Sequence, residues 1–280
     1  MKILVTGVTG FVGQYVLRCL LKTDHEIIAT SIEENCTVSA KNLRYISADM
    51  NEQGKDWYSL FNKPEILIHL AWQGLPNYGE MYHIEKNLWN GYFFVKQLIE
   101  SGLRDVTISG TEAEYGKQEG CLSEDVASRP TTAYAVAKDS LRRFLEEYCK
   151  KTPFDFKWVR LFFMYGEGQS KHSILQLLKA ALEQGDMVFP MSGGEQLRDY
   201  LPVETAAVNI VKIALQNKVQ GIINSGSGVP VSVRRLVEEY LEREGKNIEL
   251  KLGHYPYKDN ESMALWANTE KLRLIPEMAK

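Results

Sequence analysis

The chain predicts an α/β protein built on a doubly wound parallel sheet of the Rossmann type with a small C-terminal portion, on three observations. Short apolar runs alternate with longer helical patterns over the first two-thirds. Several runs are apolar on consecutive positions, and a glycine-rich turn follows the first one directly. Consecutive apolar positions mark strands covered on both faces, and strand–helix alternation is the pattern of parallel βαβ units. With 280 residues, 44% of them hydrophobic, the chain is long enough to bury a sizeable core.

The first strand is Ile3-Leu4-Val5, and the turn after it opens a helix over 11–21 with Val12, Val16, Cys19 and Leu20 on one face. Glu26-Ile27-Ile28-Ala29, Arg44-Tyr45-Ile46, Ile66-Leu67-Ile68, Val106-Thr107-Ile108 and Phe156-Lys157-Trp158-Val159 read as the next strands. A helix over 135–150 is expected to bury Ala137, Leu141, Phe144, Leu145 and Tyr148. After Tyr165 the regularity weakens at Gly166-Glu167-Gly168-Gln169-Ser170, Ser192-Gly193-Gly194 and Ser225-Gly226-Ser227-Gly228. Two segments around these breaks, 174–184 and 231–242, read as helices. The expected organisation is a dinucleotide-binding domain over 1–165, to which later strands return, and a mainly substrate-binding portion over 166–280. The second would lie over the C-terminal strand edge, where open α/β sheets bind ligands.

Charge and composition exclude several classes. Lys and Arg number 33 against 36 Asp and Glu, a net charge of -3, which gives no general field for nucleic acid or anionic membranes. No apolar run approaches the roughly 18 residues of a membrane span. Met1-Lys2-Ile3-Leu4-Val5 breaks at Thr6-Gly7, too early for a signal-peptide core. Cys19, Cys36, Cys121 and Cys149 are scattered, which indicates neither a disulfide framework nor a zinc site. A cytoplasmic protein without metal, nucleic-acid or membrane partners is expected.

Thr6-Gly7-Val8-Thr9-Gly10-Phe11-Val12-Gly13 carries the cofactor expectation. Glycines at 7, 10 and 13 allow a tight turn, a close approach to a pyrophosphate and close helix–strand packing, and the helix start offers free N–H groups. At the adenosine end a carboxylate after the second strand would bind the ribose 2′-OH of NAD(H). Ser31 stands there instead, so NADP(H) is expected to be slightly preferred, an order that Glu33 would reverse by reaching back. Asp49 sits where an adenine-contacting acid would lie, or caps a helix.

Tyr134 and Lys138 stand at i and i+4, on one face of the predicted helix. A cation beside a phenol favours its phenolate. Ser109-Gly110-Thr111 ends an upstream strand, where a hydroxyl could meet a substrate carbonyl beside Tyr134.

Taken together the motifs resemble the extended short-chain dehydrogenase/reductase family, which acts on nucleotide sugars. The resemblance rests on Thr6-Gly7-x-x-Gly10-Phe11-x-Gly13, His69-Leu70-Ala71, Asn87, Ser109 to Gly116, Tyr134-x-x-x-Lys138, Tyr165-Gly166 and Arg198-Asp199-Tyr200. It implies that Thr6, Gly7, Gly10, Phe11, Val12, Gly13, Ser31, Asp49, Leu70, Ala71, Ser109, Tyr134 and Lys138 bind the dinucleotide. It also implies Tyr134 as acid–base residue, Lys138 as the group that holds the ribose and lowers the tyrosine pKa, Thr111 as the catalytic hydroxyl and Asn87 as the relay asparagine. Arg198 matches a pyrophosphate-binding arginine of the substrate site, or forms a surface ion pair. A homodimer is part of the same implication.

The reaction is read from departures. A 4,6-dehydratase of this type carries Thr-Asp-Glu where this chain has Thr111-Glu112-Ala113, and Ala113 cannot act as the second acid or base. A combined epimerase–reductase would have cysteine where Glu112 stands, so His172 is kept only as a substrate contact. The 4-epimerases commonly have asparagine at the position of Phe163. Trp72, after the fourth strand, walls the sugar site or is a core aromatic, and Glu112 is counted among the substrate contacts. The chain looks similar to bacterial reductases of nucleotide-linked 4-keto-6-deoxyhexoses, with a nucleotide-sugar 4-epimerase and a non-catalytic NAD(P)-sensing protein as alternatives.

Overall fold

A computed structural model describes residues 1–36, 38–52, 54–257 and 261–277. Its strands in the first half are β1 (Lys2–Thr6), β2 (Glu26–Ser31), β3 (Leu43–Ser47), β4 (Ile66–His69), β5 (Asp105–Thr111) and β6 (Gly120–Leu122). Those that follow are β7 (Asp155–Leu161), β8 (Phe163–Tyr165), β9 (Val188–Pro190), β10 (Leu197–Pro202), β11 (Gly221–Ser225), β12 (Pro230–Ser232), β13 (Glu249–Lys251) and β14 (Ala264–Ala267). The α-helices are α1 (Phe11–Leu20), α2 (Trp57–Leu60), α3 (Leu88–Glu100) and α4 (Ala133–Lys151), then α5 (Ile174–Gln184), α6 (Val203–Ala214), α7 (Val233–Glu244) and α8 (Glu270–Arg273).

Seven strands form one parallel sheet in the order β11-β7-β5-β4-β1-β2-β3. Alternation along β1 sends Ile3 and Val5 into the core under α1 and α6, and Leu4 into the core under α2, α3 and α4. Both faces are therefore covered, which is why the strands read as continuous apolar runs. The strand order reverses between β1 and β4, so their C-terminal ends open a crevice suited to a ligand. Strands β12, β10, β14 and β6 form a second sheet, with β8 paired to β10, while α5 and α7 share a small apolar core with Phe189 and Met191.

One expected core position is wrong. Phe144 is 38% exposed. It packs on Trp89 and Tyr92 of α3, at 5.8 and 5.9 Å between ring centroids, so it belongs to an outer aromatic face and not to the sheet-facing stripe.

Candidate active site

The turn after β1 is shaped by what a side chain would hit. Gly7 has φ +73°, and a Cβ there would press on the Ala71 backbone at 2.8 Å. A Cβ on Gly13 would collide with the Gly7 carbonyl oxygen. Only glycine satisfies both, and the loop is thereby drawn against the end of β4. Gly10 is the N-cap of α1, whose first residues Phe11 and Val12 are half-buried against the core. Thr6 is buried, and its Oγ1 accepts from the Leu70 and Ala71 N–H groups, each at 3.2 Å. Its own proton is then left for His69 Nδ1 at 2.8 Å, so His69 carries its proton on Nε2. Burial, then Lys138, pulls His69 down to about 3 and keeps it neutral.

A cleft of about 460 Å³ runs along this edge, lined by Gly7, Gly10, Ser31, Glu33, Asp49, Leu70, Ala71, Trp72 and Asn87 among others. At its far end Glu33 does reach back. Its Oε2 accepts from Thr9 Oγ1 at 2.6 Å and from Ser31 Oγ at 2.7 Å. Those two hydroxyls hold its carboxyl below the usual carboxylate range. The reason for expecting NADP(H), an acid-free end of β2, therefore does not hold. Asp49 does not cap a helix; its Oδ1 takes the Asn51 backbone and side-chain N–H groups at 2.9 and 2.6 Å.

Beside the cleft, against Trp72, α4 delivers Tyr134 and Lys138. Thr132 caps the helix by accepting from Ala135 N at 3.2 Å, and Tyr134 N donates to the Tyr78 carbonyl at 3.0 Å. Lys138 is buried, with Nζ donating to the Ser109 carbonyl at 2.8 Å and lying 4.1 Å from the Trp72 ring centroid. Burial, opposed by Glu114, pulls Lys138 down to about 7. The phenol moves opposite to expectation. Burial first, then Glu112, Glu114 and Tyr78, push Tyr134 well above its ordinary value, with the Thr111 hydroxyl beside it pulling the other way. Lys138, whose Nζ is turned to the Ser109 carbonyl, does not offset that burial.

Thr111 ends β5 and is buried, and its Oγ1 donates to Glu112 Oε2 at 2.9 Å and accepts from Ala113 N at 3.3 Å. The turn 112–115 is closed by Glu114, whose Oε1 accepts from Thr111 N at 2.9 Å. Glu114 is fully buried, with Trp158 Nε1 donating at 2.9 Å and Arg160 Nε at 2.8 Å. Gly110 must be glycine for this, since a Cβ there would strike both the Trp158 indole nitrogen and the Glu114 carboxylate.

Trp72 lines the cleft and also touches the Tyr134–Lys138 pair, its ring centroid 6.0 Å from that of Tyr134. Its Nε1 and Asn87 Nδ2 both point at His83 Nδ1, at 3.0 and 3.2 Å. Both nitrogens are donors, so His83 Nδ1 accepts and Nε2–H donates to the Asn77 carbonyl at 3.1 Å. Asn87 also donates to the Gln73 carbonyl at 2.9 Å, so its side chain ties down the 73–83 segment.

Two expected substrate contacts lie apart from this cluster's bonds. Arg198 is buried in β10 with Nη2 on Glu261 at 2.9 Å and its guanidinium 5.5 Å from the Phe163 ring centroid. His172 is exposed in the turn before α5, its backbone N–H bonded to Ser170 Oγ at 3.3 Å. Sequence reading missed His83 and Glu114. A histidine four residues before Asn87 on a helical turn was the available signal for the first. A glutamate in a run of small and aromatic residues gave none for the second.

Among the described residues no helix is long and apolar enough to cross a membrane. The chain is 29% identical over 272 residues to a dTDP-6-deoxy-L-talose 4-dehydrogenase (NAD(+)) of Aggregatibacter actinomycetemcomitans, covering 95% of this chain and 99% of that one. It is 27% identical to a UDP-glucose 4-epimerase of Corynebacterium glutamicum, covering 98% and 89%. Among solved structures, a UDP-N-acetylglucosamine 4-epimerase from Methanobrevibacter ruminantium M1 superposes with a TM-score of 0.86 at 21% identity, covering 98% and 91%, which establishes the shared fold. A family model matches residues 3–226. With that match spanning most of its length, the chain belongs to the NAD dependent epimerase/dehydratase family.

Proposed function

We propose that the protein is an NAD(H)-dependent reductase of the 4-keto group of a nucleotide-linked 4-keto-6-deoxy sugar. One observation carries this reading: Thr111 and Tyr134 lie side by side with Lys138 one turn on, while position 113 is alanine. A hydroxyl and a phenol serve a carbonyl oxygen, and a second acid or base for elimination is lacking. Similarity along 99% of a 4-dehydrogenase of a deoxysugar nucleotide supports it.

The residues fit a dinucleotide. Gly7, Gly10 and Gly13 leave backbone room for a pyrophosphate, Glu33 would take the ribose hydroxyls, and Asp49 would face the adenine. Ser109, Leu70 and Ala71 would line the nicotinamide end, with Lys138 on its ribose. When bound, the reduced dinucleotide supplies a hydride. Tyr134 donates the proton to the nascent alkoxide, and its raised pKa keeps the phenol protonated at neutral pH for that task. Thr111 holds the same oxygen. Trp72, Glu112, His172 and Arg198 remain the proposed substrate contacts. NAD(H) is proposed over NADP(H), because the Glu33 carboxylate repels a 2′-phosphate. A homodimer is proposed through the exposed aromatic face of Trp89, Phe93 and Phe144, and the cytoplasm as its place of action.

The test is to offer a panel of 4-keto-6-deoxy nucleotide sugars and follow NADH absorbance. One NADH consumed per sugar converted is expected. Interconversion of UDP-glucose and UDP-galactose with no net change in cofactor would replace this reading with a 4-epimerase, which similarity to the Corynebacterium glutamicum enzyme favours.

A further inference from the structure

A hydroxyl has one proton to give. That of Thr111 goes to Glu112 Oε2 at 2.9 Å, while its oxygen receives the Ala113 N–H at 3.3 Å. So directed, it has no proton for a substrate oxygen. The direction reverses when Glu112 is the acid: its O–H donates to Thr111 Oγ1, and the Thr111 proton turns towards the neighbouring Tyr134 and the site. We propose that Glu112 is the proton reserve of the reacting end, a positioning residue that acts through Thr111 to recharge Tyr134. The proposal rests on the reductase reading and adds a residue to it.

The step balances. A hydride supplied by the reduced dinucleotide forms the C4–H bond as the carbonyl π bond breaks. The oxygen, held until then by the Thr111 hydroxyl, takes the Tyr134 proton; the Thr111 proton then passes to the phenolate, and Thr111 takes that of Glu112, which ends as carboxylate. Glu112 is only half-buried and regains a proton from water.

The surroundings suit a stored proton. Tyr134 faces Glu112 from α4, Tyr78 from the segment after β4, and Glu114 from its own turn. Lys138 directs its Nζ to the Ser109 carbonyl and lies over Trp72. Burial pushes the Glu112 carboxyl up against the bond from Thr111, with the Glu114 charge adding to the rise.

Two measurements test this. In turnover, wild-type kcat for reduction should fall as pH rises through the Glu112 ionisation. Glu112→Gln keeps an N–H for Thr111 but has no proton to release, so kcat should drop about tenfold or more and that limb of the profile should vanish. Glu112→Asp should restore part of the rate and the limb. Without turnover, the infrared difference between wild type and Glu112→Gln, recorded with neither cofactor nor sugar, should contain a carboxylic-acid carbonyl band at neutral pH. A Glu112→Gln variant with the wild-type pH profile, or a missing acid band, would overturn the proposal. A wild-type protein that shows the band but reduces none of the sugars strikes the reductase reading alone, and Glu112 then still holds its proton.

Discussion

Glu33 in the cleft and Glu112 beside Tyr134 are each bonded to a threonine hydroxyl, and the two carboxyls move in opposite directions. Glu33, exposed at the adenosine end, takes Thr9 and Ser31 at 2.6 and 2.7 Å and is pulled down. Glu112, at the reacting end, takes Thr111 at 2.9 Å and is pushed up. The donors are of one kind, so the difference lies in water. Where solvent reaches freely, hydrogen bonds decide and the carboxyl is pulled down; where the carboxyl is partly buried, desolvation outweighs the bond and pushes it up. The same desolvation raises Tyr134 and lowers Lys138. The exposed end of the cleft is thus suited to recognition by charge, and the buried group beside it to moving protons.

Breaking the reacting end should cost most. Tyr134→Phe keeps the ring and its packing but removes the proton, and kcat should fall by about 10²–10⁴-fold with NADH affinity retained by calorimetric titration. Lys138→Met should lose comparable activity and weaken NADH binding as well. It also reads the burial directly. Lys138 titrates near 7 in the fold and near 10.5 unfolded. Between those values the unfolded chain binds the extra proton, so stability rises with pH across that window. The methionine variant should lack that rise in thermal melts recorded from neutral to alkaline pH; an unchanged slope would mean that Lys138 is not the buried cation described.

The carboxylate behind the reacting end should cost stability instead. Glu114→Gln leaves Arg160, buried in β7, without its ionic partner. Removing one member of a buried pair costs about 3–5 kcal/mol, to be read by denaturant unfolding. A loss under about 1 kcal/mol would show that Arg160 finds water or another acid.

At the exposed end the effect should be smaller and confined to choice. Glu33→Gln removes the repulsion of a 2′-phosphate, and the NADPH-to-NADH ratio of kcat/KM should rise about tenfold, some 1.4 kcal/mol. Because the Glu33 carboxyl lies below its ordinary range, the wild-type preference should hold from neutral pH down into mild acid. An unaltered ratio would sever Glu33 from cofactor choice.

How much of this was legible follows the same divide. The parallel sheet shows in the sequence because burial on both faces writes apolar runs, and the glycine turn because only glycine fits it. Tyr134 and Lys138 are legible because helical periodicity alone puts them on one face. Glu33 was named only as the alternative to Ser31, since its reach depends on how the backbone turns after β2. Glu114 was not legible, because its burial depends on Trp158 and Arg160, 44 and 46 residues away. Phe144 kept the right period for the core but sits where α3 supplies an aromatic face in place of the sheet.

The smallest expected effect tests whether the reacting end is held by local bonds or by packing. Thr132 Oγ1 accepts the Ala135 N–H at 3.2 Å, one of the donors that a helix start otherwise leaves unpaired. Thr132→Ala should therefore cost about 1 kcal/mol, seen as a lowered melting temperature. Activity should fall far less than in Tyr134→Phe, because Tyr134 N remains bonded to the Tyr78 carbonyl and the phenol remains enclosed by Trp72, Tyr78 and His83. Thr132→Ser keeps the capping oxygen and should behave as wild type. If Thr132→Ala instead lowered kcat as far as Tyr134→Phe with the fold intact, the cap rather than the aromatic enclosure would be what aims the phenol. The burial that distinguishes this end of the cleft would then set its protonation but not its geometry.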